Sequence, residues 1–78
     1  SLSQEDFNKL NRVKYNTQTC KDVCCSICLE NFEAEDDNII LKCDHNFHPK
    51  CIEEWLLRHS YKCPVCRHEV DKDTPNII

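Results

Sequence analysis

Cys25, Cys28, Cys43, His45, His48, Cys51, Cys63 and Cys66 are the residues of this chain whose types and spacing could do chemistry together. They run Cys-x2-Cys, fourteen residues, Cys-x-His-x2-His-x2-Cys, eleven residues, Cys-x2-Cys. Six thiolates and two imidazoles are the donor set for two tetrahedral zinc ions of four ligands each. A zinc ion with every position taken by protein has none left for a substrate, so the metal is expected to be structural. Function is then to be sought in the residues that the zinc holds in place.

The rest of the chain must position those ligands, and it has little to do it with. Seventy-eight residues make one small domain. An apolar core of that size rarely supplies more than about 3–5 kcal/mol and usually needs a staple. Eight cysteines would suit a secreted disulfide scaffold. Histidines interleaved with Cys-x2-Cys pairs, and the lack of an apolar signal-like stretch, favour zinc instead. A reducing intracellular compartment is expected with zinc: cytoplasm, nucleus, or the cytosolic face of a membrane if the full protein is anchored. The formal charge is −4, and two Zn²⁺ with six deprotonated thiols take it to −6. That charge and the scattered basic residues oppose nucleic-acid binding. No transmembrane-length apolar run, low-complexity tract or repeat beyond the ligand pairs is present. With no glycine in the chain, turns fall to Asn, Asp, Pro and the zinc loops.

Residues 2–15 are expected to form a short amphipathic helix. Ser3 is the candidate N-cap, with Gln4, Glu5 and Asp6 in the first turn and Leu2 and Phe7 placed as a hydrophobic staple. Phe7, Leu10 and Val13 would form its stripe. Such a helix either packs on the domain or frays, or it offers a contact surface to another part of the full-length protein. Asn16 to Val23 reads as a connector. Cys20 and Cys24 fall outside the ligand pattern and are expected to be free thiols without function. Cys25 is preferred over Cys24 as a ligand, because its spacing to Cys28 lets one tight turn aim both sulfurs at a metal. Ile39 to Leu41 reads as a strand, and Phe47 lies in a second extended stretch, so a ligand-bearing hairpin is expected between them. Pro49 suits a first helical turn. Lys50 to His59 should be helical, with Ile52, Trp55 and Leu56 on one face and Arg58 and His59 at its negative end. The tail from Asp71 to Ile78 is polar and expected to be mobile.

Taken together, Cys25-Ser26-Ile27-Cys28-Leu29, Phe47 between the histidines, Trp55-Leu56, and Cys63-Pro64-Val65-Cys66-Arg67 resemble a RING finger with two central histidines. The likeness covers residues 25–67, flanked by a helix and linker over 1–24 and a short tail over 68–78. A PHD finger would carry one histidine and an aromatic where Tyr61 stands, and a LIM domain would stack its sites with different gaps. The paired histidines and the tryptophan four residues after Cys51 fit the RING pattern better.

The resemblance implies a small zinc-stabilised α+β cross-brace fold, with a short β-hairpin and one central helix. It implies that Cys25, Cys28, His48 and Cys51 hold one structural Zn²⁺, and Cys43, His45, Cys63 and Cys66 the other. It also implies ubiquitin-protein ligase activity: recruitment of a ubiquitin-conjugating enzyme and transfer of ubiquitin to a substrate lysine without a covalent ligase intermediate. By the same resemblance Ile27, Trp55 and Pro64 would form the groove for the conjugating enzyme, and Arg67 would be the linchpin that bridges that enzyme and ubiquitin. Each has a plainer reading. Ile27 and Trp55 would be core, Pro64 a stiffener of its turn, and Arg67 a solvated charge. Ile52, Leu56, Phe32, Leu41 and Phe47 are assigned to the core, and His59 and His68 to the surface. The alternative function is a zinc-stabilised interaction or dimerisation module without ligase activity.

Overall fold

A computed structural model describes residues 1–70. The expectation for the tail from Asp71 to Ile78 lies outside the described residues. The chain runs α1 (Gln4–Asn8), β1 (Asn11–Lys14), β2 (Asp37–Ile40), β3 (Asn46–Phe47) and α2 (Pro49–Arg58). The strands form one antiparallel sheet in the order β1-β2-β3. Asn11 opposes Ile40 and Lys14 opposes Asp37 across β1 and β2, while Ile39 opposes Phe47 across β2 and β3. The expected β2–β3 hairpin is present, and Cys43 and His45 lie in its turn.

The helix expected over 2–15 is confined to five residues. Its start follows the sequence: Ser3 is the N-cap, its hydroxyl accepts from the Asp6 N–H, and both staple residues, Leu2 and Phe7, are buried. Its end does not. The Lys9 N–H closes onto Asp6 and Phe7 carbonyls, and the chain leaves as a strand. An isolated helix of that length is marginal in water, whereas an extended segment satisfies its backbone on the edge of β2. Arg12-Val13-Lys14-Tyr15 alternates charged and apolar, which is a strand signal. Val13 and Tyr15 turn inward, and the Lys14 Nζ and Arg12 guanidinium meet Asp37 at 2.9 and 3.6 Å. Leu10 and Val13 are therefore not on a helical stripe with Phe7.

The N-terminal segment packs on the domain. The Leu2 N–H donates to the Leu56 carbonyl at 2.7 Å, satisfying a carbonyl near the C-terminal end of α2. The core joins Phe47 and Ile39 of the hairpin to Ile52 and Leu56 of α2, with Leu2, Phe7, Tyr15, Phe32 and Leu41 around them. Pro49 opens α2 as expected, and Ile52 and Leu56 form its buried face. Cys20 is a buried core residue, so its role is packing.

Candidate metal centres and partner surface

The two Cys-x2-Cys segments fold alike. In the first, the Cys25 N–H donates to the Glu30 carbonyl at 2.9 Å and the Leu29 N–H donates back to the Cys25 carbonyl at 2.7 Å. In the second, the Cys63 N–H donates to the His68 carbonyl and the Arg67 N–H to the Cys63 carbonyl, both at 2.9 Å. A single β-bridge closes each turn, Cys24 with Asn31 and Lys62 with Glu69. The residue after the second cysteine is left-handed in both, with φ 68° at Leu29 and 67° at Arg67. Asp44, directly after Cys43, has φ 76°. That conformation costs a residue with a β-carbon roughly 1–2 kcal/mol. The chain has no glycine to relieve it, so the surroundings must hold these turns closed.

The sulfurs of Cys25, Cys28 and Cys51 and a ring nitrogen of His48 all lie within 4.8 Å of one another. Tetrahedral zinc with bonds of about 2.0–2.3 Å sets its ligand atoms roughly 3.5–3.8 Å apart, so this group fits. The His48 Nδ1 is the near nitrogen, 3.4 Å from the Cys28 sulfur. Ring packing positions this imidazole: it lies on Phe32 at 4.7 Å between centroids, and Phe32 packs on Tyr15 at 5.2 Å. Cys24 stands outside the group with its thiol donating to the Cys25 carbonyl, so Cys25 is the cysteine brought to the metal site.

The second group gathers Cys43, Cys63 and Cys66, again within 4.8 Å. His45 is not in that group. Its Nδ1 lies 3.0 Å from the Asp22 carboxylate. His68, which has no ligand-like spacing, places its Nδ1 3.2 Å from the Cys66 sulfur without joining the three-sulfur group.

Crowding the sulfurs sets their acidity. Burial, followed by the charge and hydrogen bonds of neighbouring thiols, pushes Cys51 up to about 12. Cys43 is pushed up to about 11, by burial first and then by Cys66 and Cys63. Burial also opposes ionisation of Cys25, but backbone N–H groups at Cys28, His48 and Ile27 outweigh it and bring it down to about 7. The His68 backbone and ring bring Cys66 down to about 6. Each group thus holds one thiol that ionises readily and one that resists. A dication is the charge that lets all of them ionise together.

Around the metal groups lie the residues expected to meet a partner. Ile27, between Cys25 and Cys28, is half-buried against the core. Trp55 is also half-buried, and its indole N–H donates to the Lys62 carbonyl at 2.7 Å, tying α2 to the segment that enters the second Cys-x2-Cys turn. Pro64 is half-buried in that turn and Arg67 is exposed at its end. Leu29 is 75 % exposed and Val65 46 % exposed, large apolar side chains on the same two turns, quoted in the motifs but given no role by them. Two further residues went unread: Asn38 and Asn46 are fully buried, and their side chains bond each other at 2.9 Å. Nothing local marks a buried asparagine.

The first and last Cys-x2-Cys pairs belong to different metal groups, and the central ligands are divided between them: His48 and Cys51 join the first pair, while Cys43 joins the last. That interleaving is a cross-brace holding two structural zinc ions. A family model described as a Ring finger domain matches residues 23–67, and the chain belongs to the RING finger family, in its RING-H2 class. The chain is 52% identical over 56 residues to the RING-H2 finger protein ATL18 of Arabidopsis thaliana, covering 70% of this chain and 39% of that one. It is 40% identical over 56 residues to the E3 ubiquitin-protein ligase ZNRF3 of Homo sapiens, covering 69% of this chain and 6% of that protein. The chain thus spans well under half the length of these relatives. The crystal structure of the RING-H2 domain of Arabidopsis RMR1 superposes with a TM-score of 0.81 at 29% identity, covering 94% of this chain and 95% of that one.

Proposed function

We propose that this domain recruits a ubiquitin-conjugating enzyme and promotes transfer of ubiquitin from its thioester to a substrate lysine, without forming a covalent intermediate of its own. The observation that carries this reading is the joint presence, on a RING-H2 frame, of Ile27, Trp55, Pro64 and Arg67 at the family's partner positions. Relatives that bear the name E3 ubiquitin-protein ligase support it.

The cysteines support the non-covalent route. Cys25, Cys28, Cys51, Cys43, Cys63 and Cys66 lie in the two metal groups, Cys20 is buried, and the Cys24 thiol donates to a neighbouring carbonyl. Among the described residues, the two thiols outside the metal groups are thus a buried one and a half-buried, hydrogen-bonded one. The domain's contribution is then orientation: holding a flexible ubiquitin against the conjugating enzyme in a reactive pose, which lowers the entropic part of the barrier. Arg67 suits the bridging role because a planar guanidinium presents several donors at once. No ion pair among the described residues engages its side chain. His45 completes the second zinc shell in this reading. Partners are a ubiquitin-conjugating enzyme and ubiquitin, in a reducing intracellular compartment.

The test is discharge of ubiquitin from a panel of charged conjugating enzymes to free lysine. Ile27→Ala should cost roughly 2 kcal/mol of affinity for the conjugating enzyme, about thirty-fold, and stall discharge while two zinc ions per chain remain. Wild-type discharge by Ile27→Ala would remove the groove assignment. A wild-type domain that accelerates no member of the panel would leave the interaction-module reading.

A further inference from the structure

The connector before the first ligand carries one residue that no ligand pattern includes. Asp22 is held from three sides by the β3 strand. Its backbone N–H donates to the Asn46 side-chain oxygen at 3.0 Å, and its carbonyl accepts from the Asn46 side-chain nitrogen at 3.1 Å. Its carboxylate accepts from the Asn46 backbone N–H at 3.3 Å. Asn46 is itself fully buried and anchored to Asn38. The same carboxylate oxygen lies 3.0 Å from the Nδ1 of His45, with the two side chains 29 and 17 % exposed. A buried asparagine, held by Asn38, thus makes three hydrogen bonds that place one aspartate against one imidazole.

We propose that Asp22 is a positioning residue of the second zinc site: it accepts the Nδ1–H of His45, fixes that tautomer, and leaves Nε2 as the nitrogen that faces the metal. A carboxylate can only accept, so a hydrogen bond here requires the proton on Nδ1. Metal-binding histidines characteristically donate their second ring N–H to such an acceptor, which orients the ring and raises its basicity. The two sites then use opposite ring nitrogens. His48 turns Nδ1 to its sulfurs, and His45 turns Nδ1 away to Asp22. The proposal rests on His45 being the fourth ligand of the second site.

Two-bond proton–nitrogen correlation on the zinc-loaded wild-type domain reads the tautomer directly. The expected result is a protonated Nδ1 and a metal-bound Nε2 at His45, with the reverse at His48. A metal-bound Nδ1 at His45 overturns the proposal. Asp22→Ala should lower the chelator concentration that extracts one zinc by about 10–100-fold. Its loss should be confined to the β-carbon shifts of Cys43, Cys63 and Cys66. Asp22→Asn, which still offers an acceptor, should recover much of the difference. Unchanged zinc retention in Asp22→Ala also overturns it. His45→Ala separates the two layers. If it keeps two zinc ions at wild-type chelator resistance, the ligand reading fails. If it loses one while Asp22→Ala loses none, only the positioning role fails. Should Asp22→Ala not fold, the wild-type tautomer still decides.

Discussion

Arg67 and Leu29 occupy the same place in two turns of the same shape, each left-handed and each following the second cysteine of its pair. The backbone there is set by the hydrogen bond back to the first cysteine, so the side chain is free to be chosen for a partner. If Arg67 has the proposed linchpin role, function and stability separate at this single position. Arg67→Gly relieves a left-handed β-carbon and should be at least as stable as Arg67→Ala, by up to roughly 1 kcal/mol. Both should slow discharge from a saturated complex more than they weaken binding to the conjugating enzyme. Thermal melts of the two variants beside single-turnover discharge check the pair. If binding falls and discharge from the complex does not, Arg67 is an affinity residue and not a linchpin.

At the scale of elements, the N-terminal segment and the first metal group are one assembly. Tyr15 directly follows β1 and stacks on Phe32, and Phe32 packs on the His48 ring. The Tyr15 N–H also donates to the Asp36 carbonyl at 2.6 Å, joining the strand to the acidic turn before β2. Tyr15→Ala leaves a cavity beside Phe32, the ring that backs a ligand, and should destabilise the holo domain by about 3 kcal/mol. It should also release zinc from the first group before the second, measurable as a biphasic chelator titration. A single phase with wild-type midpoint would mean that the stack does not support His48. The salt bridges of Asp37 with Lys14 and Arg12 are exposed and contribute little beside this packing.

For the molecule as a whole, metal and fold are a single equilibrium. Structural zinc contributes about 10–16 kcal/mol of apparent binding energy in finger peptides, several times what so small a core supplies. Chelation should therefore unfold the domain cooperatively, and metal analysis of the native protein should return two zinc per chain. The sign of the pH dependence follows from the thiols. Without metal the chain is unfolded and its thiols titrate near their ordinary value of about 8.5, so at neutral pH zinc must displace thiol protons at each site. Apparent affinity then rises with pH by about tenfold per unit for each displaced proton. Competition titrations across pH 5 to 8 test this, and a pH-independent affinity would contradict it.

By itself, the sequence determined much whose signal is local: the seven ligands that the structure gathers, the tight Cys-x2-Cys turns, the Ser3 cap, Pro49 at the start of α2 and its buried Ile52–Leu56 face. These follow from spacings of a few residues, where one turn or one helical period sets which side chains can meet. Tertiary structure decided the rest. Residues 11–14 joined a sheet because β2 offered an edge, although Phe7, Leu10 and Val13 also suit a helix. Cys20 was taken into the core, while Cys24, one residue before a ligand, was left out of the metal group. Asp22 was carried to His45, 23 positions away, by the grip of a buried asparagine. Such contacts depend on where distant segments are brought together, and residue spacing within one segment does not encode that.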